Sequence, residues 1–85
     1  MDEHIHTHSA YTRTRDGTVY EAHVRGAARS DGTWVGWLEF HPVAGGPVLR
    51  TPRETSQPDR AALVYWAGGI EPSYLEGALE RAQPS

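Results

Sequence analysis

The chain contains no cysteine and no lysine, and only one methionine and one phenylalanine. Without thiols, disulfide staples and thiolate metal centres are both excluded. Without lysine, all 8 basic side chains are arginines. Arginine is the better residue for bidentate contacts to carboxylate or phosphate, but a GC-rich coding bias, seen also in the frequent Ala, Gly and Pro, explains the set more simply. No apolar run approaches the roughly 18 residues of a membrane span, so no membrane partner is expected. The acidic start Met1-Asp2-Glu3 is unlike the basic opening of a secretory leader, and the expected location is the cytoplasm. A formal charge of −3 argues against the broad positive footprint that nucleic acid requires.

What is present suits one small domain spanning residues 1–85. Three Trp, four Tyr and one Phe, with scattered Leu, Val, Ile and Ala, can cover one face of one sheet. They cannot also build a deep enclosed active-site cavity. The first half reads as strands and the last third as helices, which is the α+β pattern. The expected fold is a three- to four-stranded antiparallel β-meander with two C-terminal helices packed on one face.

Asp16-Gly17 between alternating stretches predicts a two-residue hairpin loop, because both positions favour positive φ. It joins strands at about 4–15 and 18–29. Asp31-Gly32 marks a second hairpin, and side-chain parity selects its length. A three-residue loop, Ser30-Asp31-Gly32, aligns Ile5, Tyr11, Tyr20, Ala22, Val24 and Ala28 with Trp34, Gly36, Leu38 and Phe40 of a strand at about 33–42. A two-residue loop would set Glu39 and His41 on that face instead. Gly45-Gly46 offers a third turn into a short strand at about 48–51, with Leu49 toward the core.

Ser56-Gln57-Pro58-Asp59 resembles a capping box opening a helix at about 57–67. Ala61, Val64 and Tyr65 form its apolar stripe, widened by Leu63, Trp66 and Ala67, and Gly68-Gly69 ends it. Glu71-Pro72 opens a second helix at about 72–82, with Tyr74, Leu75, Ala78, Leu79 and Ala82 as its stripe. Gln83-Pro84-Ser85 is expected to fray.

The same parity gathers His4, His6, His8, His23 and His41 on the face away from the helices. It sets His41 opposite Glu21 and His23 opposite Glu39. Residues i and i+2 of a strand lie about 6.6 Å apart on one face, so His6 and His8, with His23 from the next strand, form a candidate site for a divalent metal, with Glu21 as a fourth ligand or a base. Arg25, expected opposite His8, opposes that reading. Trp37 shares the face, and with His23, His41, Glu21 and Glu39 makes a candidate interface.

A second candidate is the polar run at 50–57, where Arg50, Arg53, Thr55 and Ser56 approach a helix N-terminus suited to an anion. No Gly-x-Ser-x-Gly elbow, phosphate loop or His-Glu-x-x-His occurs. No catalytic residue is therefore named, and an enzyme is not the leading expectation. That expectation is a non-enzymatic binding or regulatory module acting through a homodimer or a protein partner, with no cofactor. A metal-binding protein or metal-dependent enzyme using the His-x-His motif comes second, and an anion-binding domain third.

Overall fold

A computed structural model describes residues 1–85 of the chain. Three long strands form the meander: β1 (Asp2–Arg13), β2 (Val19–Ala28) and β3 (Trp34–Pro42). The short strands β4 (Leu49–Arg50) and β5 (Thr55–Gln57) come next, then the helices α1 (Arg60–Gly68) and α2 (Pro72–Arg81), then β6 (Gln83–Pro84). The antiparallel sheet runs β1-β2-β3-β4-β6, and β5 pairs with the other end of the β3 edge that β4 uses. Thr51 bridges these two short strands. It accepts from Leu38 N–H through Oγ1 at 3.0 Å and donates its own N–H to Leu38 O at 2.9 Å, so β3 keeps its pairing where no strand lies beside it.

The second hairpin has the expected three-residue loop. Arg29 N–H donates to Thr33 O at 2.7 Å, Gly32 has φ +88°, and Ala28 faces Trp34. Both helices cover the expected face. Ala22, Val24, Leu38 and Phe40 of the sheet pack with Ala67, Leu75, Ala78 and Leu79 of the helices, and Leu49 lies against this cluster. Each large aliphatic or aromatic side chain buried there stabilises by about 1.5–3 kcal/mol.

The first hairpin departs from expectation. Its loop is Arg15-Asp16-Gly17, closed by Thr14 N–H donating to Thr18 O at 3.0 Å, with Gly17 at φ +89°. Asp16 accepts from Thr18 N–H at 3.1 Å and from the Thr14 hydroxyl, and these bonds hold its carboxyl below the usual range. A type I turn completed by a left-handed glycine needs one more residue than the two-residue loop. The extra residue shifts the parity of β1. Of two later bulges, between His4 and His6 and between Thr7 and Tyr11, the second adds two residues and keeps that parity, and the first adds one and reverses it for His4. Tyr11, expected in the core, sits across from Glu21 and is exposed, while Thr12 is buried on the helix side.

The other corrections lie near the C-terminus. Residues 55–57 are strand rather than helix, so the cap is Asp59, whose carboxylate accepts from Ala62 N–H at 2.8 Å; Ser56 caps nothing. The tail does not fray. Gln83 and Pro84 pair with β4, and Ser85 N–H donates to Val48 O at 3.1 Å.

Candidate functional site

Helix α1 is the most apolar segment of the chain, with seven uncharged residues from Ala61 to Ala67. A helix apolar on all sides is ordinarily buried on all sides. Here only Leu63 and Ala67 are buried. The reason lies in β2 and β3, where Gly26 and Gly36 face each other across the ladder. A Cβ on Gly26 would stand 2.5 Å from Leu63 Cδ2, and one on Gly36 would stand 2.7 Å from Leu63 Cδ1. The two glycines thus leave a recess that the Leu63 side chain fills. Seating Leu63 there turns Ala61, Val64 and Tyr65, the expected core stripe, outward.

The outward side forms an open groove of about 1030 Å³ lined by Val64, Tyr65, Trp66, Ile70 and Tyr74, with the Gly68-Gly69 backbone at its end. Tyr65 is 87 % exposed. The Trp66 and Tyr74 rings meet edge to face at 6.1 Å, a favourable aromatic geometry. Tyr74 is anchored from behind. Its hydroxyl donates to Glu54 Oε1 at 2.5 Å, and Arg81 donates to the same oxygen at 2.6 Å. Burial, then the hydrogen bond and charge of Glu54, push the Tyr74 hydroxyl up to about 12. The rim of the groove is therefore held in place by a charge-assisted network.

The five histidines divide between the two faces. His4, His23 and His41 lie on the uncovered face. The ladder sets Glu21 across from His41 and His23 across from Glu39, as parity requires, but the hydrogen bonds run along each strand. His23 Nε2 bonds Glu21 at 2.8 Å and His41 Nε2 bonds Glu39 at 3.3 Å. Thr7 Oγ1 links His4 Nε2, at 2.7 Å, to His23 Nδ1, at 3.3 Å. Partial desolvation, then the nearby His23 and Arg25, hold His4 below its ordinary value.

His6, by contrast, pairs with Val24 on the helix side, and His8 is buried in the second bulge against the α1–α2 turn. The proposed ligand set of His6, His8 and His23 is thus split across the sheet, and no three His, Asp or Glu side chains are arranged to hold a metal ion. The third loop residue is the cause, since one extra residue between β1 and β2 exchanges the faces of His6 and His8, and the irregularity between Thr7 and Tyr11 adds two residues and leaves their parity unchanged.

Trp37 does lie with His23, His41, Glu21 and Glu39, but it is only 5 % exposed. The Arg50 guanidinium stacks 4.3 Å from its ring centre, so a cation covers it, and this face presents polar groups rather than an aromatic anchor. That stacking also takes Arg50 out of the anion-site group. Thr55 pairs with Gly36 on the helix side, Ser56 with Val35 on the other, and Arg53 is exposed. Because Asp59 puts its own carboxylate at the start of α1, Arg50, Arg53, Thr55 and Ser56 do not converge on one point.

No protein-family model, curated protein or solved structure matches the chain. The residues that hydropathy alone misassigns are Val64, Tyr65 and Tyr74. The signal against that assignment is the excess of apolar residues in α1 over the number one core-facing stripe needs.

Proposed function

We propose that the protein is a non-enzymatic binding module that docks on a second copy of itself through the outer face of α1. The observation that carries this reading is an uncharged run from Ala61 to Ile70 whose Val64 and Tyr65 face an open groove rather than the core, with Trp66 lining that groove from the edge of the core. Contiguous exposed apolar surface of this kind marks interaction sites, and aromatic residues are the usual anchors.

A second copy suits the patch in shape and in charge. A two-fold interface must be self-complementary, and this one combines a protruding Tyr65 with a recess beside Gly68-Gly69. Two such faces meet without burying like charges at the centre. At the ends of the patch the signs are opposite, with Arg60 preceding it, oriented by two hydrogen bonds to Glu3 of its own chain at 2.9 and 3.0 Å, and Glu71 following it, while Asp59 is committed to the helix cap. Antiparallel crossing of two α1 helices therefore sets Arg60 of one copy toward Glu71 of the other. Standard interfaces take about 800 Å² from each partner, a modest part of a 5215 Å² surface.

Sedimentation equilibrium tests the reading. The chain is expected to dimerise with a micromolar constant, and Tyr65→Ser is expected to weaken it at least about tenfold while leaving the circular dichroism spectrum unchanged, since Tyr65 is exposed. A single species of monomer mass at about 1 mM chain would overturn it.

A further inference from the structure

Outside the groove, the imidazole of His8 is a tightly constrained polar group. Its side chain sits in the second bulge of β1, only 8 % exposed, and its Nε2 is buried without a hydrogen-bond partner. Such an atom is costly and calls for a reason. His8 lines a cleft of about 360 Å³ whose opposite wall is Gly68, Ile70, Pro72 and Leu75, the corner between α1 and α2. Gly68 and Ile70 also line the docking groove. One short segment of chain thus separates a buried, unpaired imidazole from the proposed interface.

We infer that His8 is an acid-sensitive latch on the groove: protonation of its ring drives the β1 bulge away from the α1–α2 corner and displaces the Gly68–Ile70 wall, which weakens self-association. This inference rests on the docking surface proposed above. A charged imidazolium in this position would gain no compensating partner. The one other titratable group in the cleft is His6, its ring centre 4.7 Å from that of His8, and a second cation there opposes protonation further. Thr7, Ser9 and Ala10 from β1 and the four residues of the corner carry no charge, and Glu71 of the same turn faces the groove rather than the cleft.

The direction of titration agrees with this geometry. Burial, then repulsion from His6, holds His8 below the ordinary imidazole value. A group with a depressed basic pKa favours the native state above its unfolded value near 6.5, and that contribution is lost as the pH falls through the folded value. Acid is therefore the opening signal.

The test joins two measurements on the full chain. Imidazole and amide NMR from about pH 7.5 to about 5, which brackets ordinary histidine titration, should show the His8 ring titrating below its ordinary value, with the Gly68 and Ile70 amides following the same midpoint. Sedimentation should show the dimer constant weakening by about tenfold or more from pH 7.5 to 5.5 as two linked imidazoles per dimer take up protons, and no such change in His8→Leu. If that variant does not fold, His8→Gln serves the same comparison. A His8 ring that titrates at or above the ordinary value, or Gly68 and Ile70 amides that ignore it, overturns the latch. A dimer equally tight at both pH values also overturns it while leaving the docking surface standing. A monomer whose Gly68 and Ile70 amides follow His8 supports the acid-driven movement of the wall and overturns the docking surface together with its pH-dependent association.

Discussion

Placing Leu63 over the facing glycines makes a quantitative demand on stability. Gly36→Ala adds a methyl group 2.7 Å from Leu63 Cδ1 and 3.2 Å from Thr55 Cγ2, well inside normal carbon contact distance. Leu63 is fully buried, so it cannot swing clear. Overpacking of this sort costs about 1–3 kcal/mol, and the backbone entropy recovered on replacing glycine returns about 0.5–1 kcal/mol, leaving a net loss of up to about 2.5 kcal/mol. Leu63→Ala alone empties the recess and should cost about 2–5 kcal/mol. Combining the two removes the clash and puts a methyl group into the space, so the losses should fall short of their sum by about 1–3 kcal/mol. Gly26→Ala should be rescued less completely, because its added Cβ also meets Val35 O at 3.1 Å and Ile5 Cγ1 at 3.2 Å, neither of which Leu63→Ala removes. Urea unfolding followed by tryptophan fluorescence measures all the terms. Additivity of Gly36→Ala and Leu63→Ala within about 0.5 kcal/mol would refute the recess, and so would equal rescue of the two glycines.

Other consequences are checked more simply. Asp59→Ala removes the α1 cap and should cost about 0.5–2 kcal/mol by urea unfolding, whereas Ser56→Ala, on an exposed position of β5, should change stability by less than about 0.5 kcal/mol. Glu54→Gln removes the charge that helps hold the Tyr74 hydroxyl at about 12, so an alkaline ultraviolet titration should show Tyr74 ionising at lower pH. Arg50→Ala uncovers Trp37, which should red-shift the fluorescence and admit acrylamide quenching to a tryptophan that is protected in the parent chain. Removing residues 83–85 takes away the Ser85 bonds to Val48 O and the pairing with β4, at about 1–3 kcal/mol in all; a neutral truncation would mean that the tail does fray.

Much of the architecture is legible in the sequence because two simple signals agree with the fold. Strand alternation across Ser30-Asp31-Gly32 yields the register of β2 on β3 residue by residue, since only one loop length keeps Val24 and Leu38 on a common face. The stripe of Leu75, Ala78 and Leu79 marks the buried side of α2. The failures have identifiable reasons. Asp16-Gly17 is compatible with loops of two or three residues, and β1 offers no strong apolar alternation to choose between them. The unrecognised third loop residue reverses parity along β1, so a two-residue loop assigns His6, His8 and Tyr11 to the wrong faces, and the bulge between His4 and His6, which has no compositional mark, returns only His4 to the uncovered face. Strands β5 and β6 have two or three residues each and exist only because the edges of β3 and β4 are free to be paired. Ser56 is drawn into a false cap by Asp59, the actual cap, three residues beyond it. In the candidate site, the apolar character of α1 is plain while its orientation is hidden, because orientation depends on a recess made by two glycines far away in the chain.

That dependence connects the fold to the proposed docking. Ala61–Ala67 would satisfy a buried helix in any rotation, and nothing within α1 prefers Leu63 over Tyr65 as the core residue. The choice is made by size. The Gly26–Gly36 recess admits the branched end of a leucine between two strands, and a tyrosine ring there would collide with the Val35 and Arg25 carbonyls that border it. Once Leu63 is seated, helical periodicity leaves Ala67 buried one turn later and carries Val64 and Tyr65 round to the outside. The groove wall at Gly68–Ile70 is then held from within by the core and from beside it by the unpaired His8. An apolar outer face on α1 is therefore not a packing remainder that one substitution in the helix would cure. It is a consequence of glycines in the sheet, so its exposure can be altered from β2 and β3 without touching a residue of the interface.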